Sequence, residues 1–232
     1  MRAGSTCPRS AAFLPEIKLT IAIPTTGLVA MGFCYSLCGL VSYIASKGIL
    51  TRPDSSVAMN LDVVESSVIH SNREQIVARA IERENTHLMF LDHDMVFEPT
   101  ILDVLAGRRQ PVVVTNYMLK QADSDFVAVG LDGARIPTTA ASTGMVPIAY
   151  SGFGVSLFEL EVFKKTPQPW FLPLFVAESN TYTTEDNPCF ERIRAAGFDV
   201  YLDHDASKLV TAHMGMKGYS WKEWTPQAKK ES

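Results

Sequence analysis

The sequence carries no surplus of positive charge. Lys and Arg total 21 against 25 Asp and Glu, for a net charge of -4. A protein that neutralises many phosphates by counter-ion release carries a basic excess. No basic run here exceeds two residues, as at Lys229-Lys230. A tightly held nucleic acid is therefore disfavoured, leaving only a local patch on a nucleic-acid-modifying enzyme. Cysteine is scarce too: Cys7, Cys34, Cys38 and Cys189 form no Cys-x-x-Cys, and no His pair stands at zinc spacing. Cys34 and Cys38 share one face of a predicted helix, and core packing is their expected role. This suits a reducing cytoplasm. Also missing is an unbroken apolar span. No charge occurs between Lys18 and Lys47, but Pro24-Thr25-Thr26-Gly27 splits that stretch. A strand over Leu19 to Ile23 and a buried helix over Leu28 to Ser46 explain it better than a membrane crossing. The N-terminus, with Arg2, Pro8 and Arg9, lacks the apolar core of a signal peptide. The expectation is a cytoplasmic protein with no integral membrane span.

The 232 residues are 47% hydrophobic and 20% charged. That composition excludes a disordered chain and supports a single sizeable core. One domain over residues 16–222 is expected, between an irregular tail at 1–15 and a second tail at 223–232. Strands are predicted over Ser56 to Val64, Leu88 to Leu91, Pro111 to Asn116 and Phe198 to Leu202. Helices are predicted over Asn72 to Glu84, Thr100 to Leu105 and Asn187 to Ala196, the last closed by Gly197. Short strands and loops are expected between Asp123 and Pro147. Alternating strands and helices imply an α/β fold: a mixed, mostly parallel sheet with helices on both faces.

The most informative stretch is Leu88-Met89-Phe90-Leu91-Asp92-His93-Asp94-Met95. An apolar strand ends there in two carboxylates separated by one residue. The carboxyl ends of strands in open sheets are where ligands bind. Side chains alternate along a strand, so Asp92 and Asp94 are expected to point one way and His93 the other. Two carboxylates side by side call for a hard divalent cation. A solvated polar turn is the alternative reading.

Upstream lies Ser71-Asn72-Arg73-Glu74-Gln75. Downstream lie Thr184-Glu185-Asp186-Asn187-Pro188, then Ala196-Gly197-Phe198-Asp199-Val200-Tyr201-Leu202-Asp203, then Ala212-His213-Met214-Gly215. In this order the motifs resemble a nucleotide-sugar-dependent glycosyltransferase of the GT-A (Rossmann-like) fold, over roughly residues 17 to 219. The resemblance implies transfer of a sugar, a hexose by preference, from a nucleoside-diphosphate sugar to a hydroxyl acceptor. Glycan, lipid-linked sugar, protein and modified nucleobase remain open as acceptors, and homo-oligomer formation remains open too. It implies Mn2+ (or Mg2+), held by Asp92, Asp94 and His213; the imidazole favours manganese. Asp186, with Glu185 beside it, is implied as the general base of an inverting enzyme. In a retaining enzyme Asp186 would only position substrate, and capping of the following helix is the plain alternative.

Nucleotide-sugar contacts are expected from Pro24, Thr25, Thr26, Asn60, Arg73, Asp92, His93, Gly152 and Lys217. Where relatives carry an acidic turn after the second strand, this chain has Ala58-Met59-Asn60-Leu61-Asp62. Asn60 stands in for it. Gly152 belongs to Ser151-Gly152-Phe153-Gly154, where backbone can approach a ligand closely. The resemblance implies a lid over the diphosphate at Met214 to Tyr219, with Lys217, between Gly215 and Gly218, supplying charge; an ordinary frayed terminus is the alternative. The second Asp-His-Asp, Asp203 to Asp205, is expected to have no metal role. Two other functions fit parts of the pattern. Asp92-His93-Asp94-Met95-Val96 matches the opening motif of haloacid-dehalogenase-like phosphohydrolases, and a non-catalytic nucleotide-sugar-binding module would keep the same fold. A sugar nucleotidyltransferase would need a basic residue in the Pro24 to Gly27 loop, which has none.

Overall fold

A computed structural model describes residues 17–47, 59–120, 125–215, 218–220 and 222. A seven-stranded sheet in the order β2-β1-β3-β7-β5-β10-β6 forms its centre. The strands are β1 (Leu19–Thr25), β2 (Met59–Glu65), β3 (His87–Leu91), β5 (Val112–Val114), β6 (Met145–Pro147), β7 (Val155–Glu159) and β10 (Tyr201–Asp203). β1 pairs in parallel with β2 and β3, and β5 with β10. β7 runs antiparallel between β3 and β5, and β6 is antiparallel to β10 at the edge. The sheet is thus mixed and mostly parallel in direction.

Period-two alternation explains how this sheet buries both faces. Leu19, Ile21, Ile23, Met89 and Leu91 point into one core. Ala22, Leu88 and Phe90, their neighbours in sequence, point into the other. The first core is covered by α1 (Met31–Ser46), α3 (Ile101–Gly107) and the short α6 (His204–Ser207). The second is covered by α2 (Ile69–Glu82), α4 (Leu160–Lys165) and α5 (Asp186–Ala195). Helices on both faces are therefore observed, as expected.

α1 buries Phe33, Ser36, Leu40 and Ile44. Cys38 falls off that stripe and is exposed, and Cys34 is only half-buried, so core packing holds for Cys189 alone among the described cysteines. No helix among the described residues is long and apolar enough to cross a membrane. The uncharged stretch is a strand, a loop and a helix. α2 starts at Ile69, earlier than the apolar spacing predicts. Asn72 is consequently inside it and fully buried. Its amide donates to the carbonyls of Thr25, Val64 and Ser66 at 3.1–3.2 Å, tying α2 to the ends of β1 and β2.

Two small sheets complete the fold. β4 (Met95–Phe97), β11 (Val210–Met214) and β12 (Gly218–Tyr219) form one, in the order β12-β11-β4. It brings His213 opposite Met95, directly after the acidic motif. β8 (Phe175–Val176) and β9 (Thr181–Tyr182) form the other, a short hairpin. The segment between Asp125 and Pro147 contains isolated bridges and β6, close to the loop-rich region expected.

Candidate active site

The ends of β1, β3 and β5 and the start of β7 meet at one edge of the sheet. An open cleft of about 280 Å³ lies there. Its walls include Pro24, Arg73, Asp92, His93, Asp94, Tyr117, Gly152, Glu185, Asp186 and His213. Most of the predicted site thus converges from six separate stretches of chain.

The acidic motif is a turn rather than a continued strand. β3 ends at Leu91, and the Met95 amide donates to the Asp92 carbonyl at 3.1 Å. Strand alternation therefore stops before Asp92. His93 lines the cleft together with both aspartates instead of pointing away from them. One ring nitrogen of His93, Nδ1, lies 3.3 Å from the Pro24 carbonyl.

The two carboxylates have different partners. Asp92 Oδ1 accepts from Arg73 Nη2 at 2.7 Å. Arg73 Nε donates to Glu185 Oε1 at 3.2 Å. The guanidinium is only 4% exposed and lies 5.1 Å from the ring of Phe90 and 4.7 Å from that of Phe153. Burial works against the Arg73 charge, but Asp92 and Glu185 outweigh it and raise its pKa. Nη1 of Arg73 has no hydrogen-bond partner among the described residues. The sequence places this Arg at a helix start, and the resemblance implies contact with the nucleotide. The structure puts it in the second turn of α2, where it lines the cleft and holds Glu185 as well as Asp92.

Asp94 turns the other way. Lys120 pairs with its Oδ2, and His213 Nε2 stands 3.5 Å from Oδ1. Burial opposes ionisation of Asp94, but the neighbouring His213 and Lys120 prevail and hold its pKa down to about 2. His213 Nδ1 meets the Met118 carbonyl at 2.8 Å. That contact turns Nε2 toward Asp94. Oδ1 of Asp94 is buried without a hydrogen-bond partner among the described residues. No three His, Cys, Asp or Glu side chains among the described residues form a ready metal cage. Asp94 Oδ1 and His213 Nε2 are the two donors that would hold a divalent cation here.

Asp186 opens α5. Its Oδ1 accepts from the Thr184 hydroxyl and, at 2.9 Å, from the Asn187 amide. Burial raises its pKa above the ordinary carboxylate value. Gly152 is required beside it: a Cβ there would lie 2.1 Å from the Tyr117 hydroxyl and 3.9 Å from Asp186 Oδ2. Tyr117 accepts from the Gly154 amide at 3.1 Å and packs edge-on against His213 at 4.9 Å.

The remaining predicted contacts divide. Thr25 is buried and shapes the turn after β1: its hydroxyl accepts from Gly27 and donates to the Leu28 carbonyl. Thr26 is exposed at the edge of that turn. Asn60 is not part of the cleft. It pairs in register with Thr20 at the start of β1, and its side chain accepts from Asn85 at 2.9 Å. The residue at the cleft end of β2 is Glu65, opposite Thr25. Lys217 lies outside the described residues. Asp203 caps α6 and is held by Arg108 at 2.6 Å. Tyr117 and Lys120 were not anticipated; their one sequence signal is a place just after a buried strand, Val112 to Val114.

No protein-family model matches the chain, and no curated protein matches it. Among solved structures it is similar to A197 from STIV, with a TM-score of 0.51 and 17% identity over 80% of this chain and 81% of that one. It is also similar to S. aureus TarS in complex with UDP-GlcNAc, with a TM-score of 0.45 and 12% identity, covering 82% of this chain and 56% of TarS. A nucleoside-diphosphate-sugar pyrophosphorylase from Vibrio cholerae RC9 has a TM-score of 0.40 and 9% identity, over 83% and 75% of the two chains. Identities this low speak to fold alone. The observed fold is the mixed, mostly parallel α/β sheet with helices on both faces that the sequence predicts.

Proposed function

We propose that the protein is a metal-dependent glycosyltransferase that moves a sugar from a nucleoside-diphosphate donor to a hydroxyl acceptor. One observation carries the reading: Asp94, His213 and Asp186, far apart in sequence, line a single cleft at the carboxyl edge of the sheet. A divalent cation bound at Asp94 and His213 would supply Lewis-acid neutralisation of the leaving diphosphate. Manganese suits a mixed carboxylate and imidazole pair.

Asp186 is the base in this account. It takes the proton of the acceptor hydroxyl as that oxygen bonds to the anomeric carbon, while the bond from that carbon to the diphosphate breaks. Attack opposite to the leaving group gives inversion. Its raised pKa, caused mainly by burial, strengthens it as a base relative to an ordinary carboxylate. Glu185 supports it indirectly, by fixing Arg73 and the entry to α5. The phosphohydrolase reading has less support, because the nucleophile it needs, Asp92, is engaged by buried Arg73.

The test is release of nucleoside diphosphate from a panel of nucleotide sugars, with Mn2+ and simple glycoside acceptors. Donor cleavage that needs both Mn2+ and Asp186 is expected. Hydrolysis of phosphate esters with a trapped aspartyl-phosphate at Asp92, and no donor cleavage, would overturn the proposal.

A further inference from the structure

Lys120 and His213 approach the Asp94 carboxylate at different oxygens. Lys120 holds Oδ2, and His213 directs Nε2 at Oδ1 across 3.5 Å. With Nδ1 of His213 taken up by the Met118 carbonyl, Nε2 is turned toward Asp94 Oδ1. At 3.5 Å the two atoms stand far enough apart to share a cation. Asp94 Oδ1 is also buried without a hydrogen-bond partner among the described residues. One oxygen of the carboxylate therefore faces a gap suited to a cation, while the other is satisfied by one the chain supplies itself.

The two cations compete. A lysine and a divalent ion on one carboxylate repel each other at short range. Lys120 is the mobile member of the pair. Its side chain is about a third exposed, 32%, and its ammonium sits on a flexible four-carbon stem. A diphosphate entering beside Asp94 brings the negative charge that the ammonium would otherwise lose.

We propose that Lys120 is an exchangeable counter-ion, neutralising Asp94 in the free protein and passing to a diphosphate oxygen when donor and divalent cation bind. The inference rests on the transferase reading above. It makes binding of the cation and of the diphosphate mutually dependent, each strengthening the other.

The experiment measures Mn2+ and inorganic diphosphate binding to the full chain, by the electron paramagnetic resonance signal of free Mn2+ and by calorimetry. Lys120→Met is compared with the wild type, and Asp94→Asn is made in both backgrounds. Without diphosphate, Lys120→Met is expected to bind Mn2+ about tenfold more tightly, because the competitor is gone. At saturating Mn2+, the same variant is expected to bind diphosphate about tenfold more weakly. If Lys120→Met changes neither affinity while Asp94→Asn still abolishes Mn2+ binding, the exchange is wrong and the metal site stands. If Mn2+ binds to no variant, even with diphosphate present, the metal-dependent reading itself falls and the exchange with it.

Discussion

Arg73 Nη2 donates to Asp92 Oδ1 at 2.7 Å, in the wall of the cleft that both residues line. This bond joins the second turn of α2 to the end of β3. The same guanidinium reaches Glu185 at the start of α5. Three elements that carry the site are therefore locked by one side chain, and Asp92 owes its position to Arg73 rather than to the strand geometry before it.

Arg73→Met should be strongly destabilising. It removes the partner of two carboxylates at a buried position and the cation over the Phe90 and Phe153 rings. Breaking a buried pair from one side costs about 3–5 kcal/mol. Urea unfolding should show a loss of that order. Arg73→Lys should recover little of it, since an ammonium cannot reproduce the fork that reaches both acids.

Asp186→Asn should cut kcat by about 10²- to 10⁴-fold with little change in unfolding midpoint. The pH profile follows from the raised carboxyl pKa. A base must be deprotonated, so activity should fall as pH drops through that pKa, on a limb lying above the ordinary value of 3.8. An acid limb at or below 3.8 would count against Asp186 as the base.

Gly152→Ala should damage the site by displacing Tyr117. The new methyl would fall 2.1 Å from the Tyr117 hydroxyl, which is buried and bonded to the Gly154 amide. Such overpacking costs about 1–3 kcal/mol. Because Tyr117 packs against His213, Mn2+ affinity should fall as well. Gly107→Ala, where no atom lies within 4 Å of the added Cβ and φ is outside the left-handed region, is the control for overpacking.

His87, at the start of β3, gives a stability signature away from the cleft. Burial lowers its pKa from 6.5 to about 4. As pH falls, the unfolded chain takes up this proton first. The contribution to stability is complete above the unfolded value of 6.5 and is lost as pH drops through about 4. Its size is about 3 kcal/mol. Stability measured across this window should decline less in His87→Gln than in the wild type.

Local patterns were the legible part of the fold. Alternation along β1 and β3 and helical spacing in α1 and α5 are short-range properties, and they placed these elements within a few residues. β4 was not legible, because it is three residues long and its partner, Val210 to Met214, follows more than a hundred residues later. That pairing is what delivers His213. Asn60 was misplaced for a related reason: sequence order does not reveal which end of a strand meets the cleft. Lys120 and Tyr117 went unseen because a loop residue's reach depends on the whole fold, and neither stands in a spaced motif.

The central claim is that Asp94 and His213 bind a divalent cation together with a nucleoside diphosphate. The most direct measurement is thermal unfolding of the wild type and Asp94→Asn against each nucleoside diphosphate, with and without Mn2+. A ligand that binds only the native state raises the midpoint. The account predicts a rise for one nucleotide that requires Mn2+ and disappears in Asp94→Asn. A rise that is equal without Mn2+, or that survives in Asp94→Asn, would contradict it.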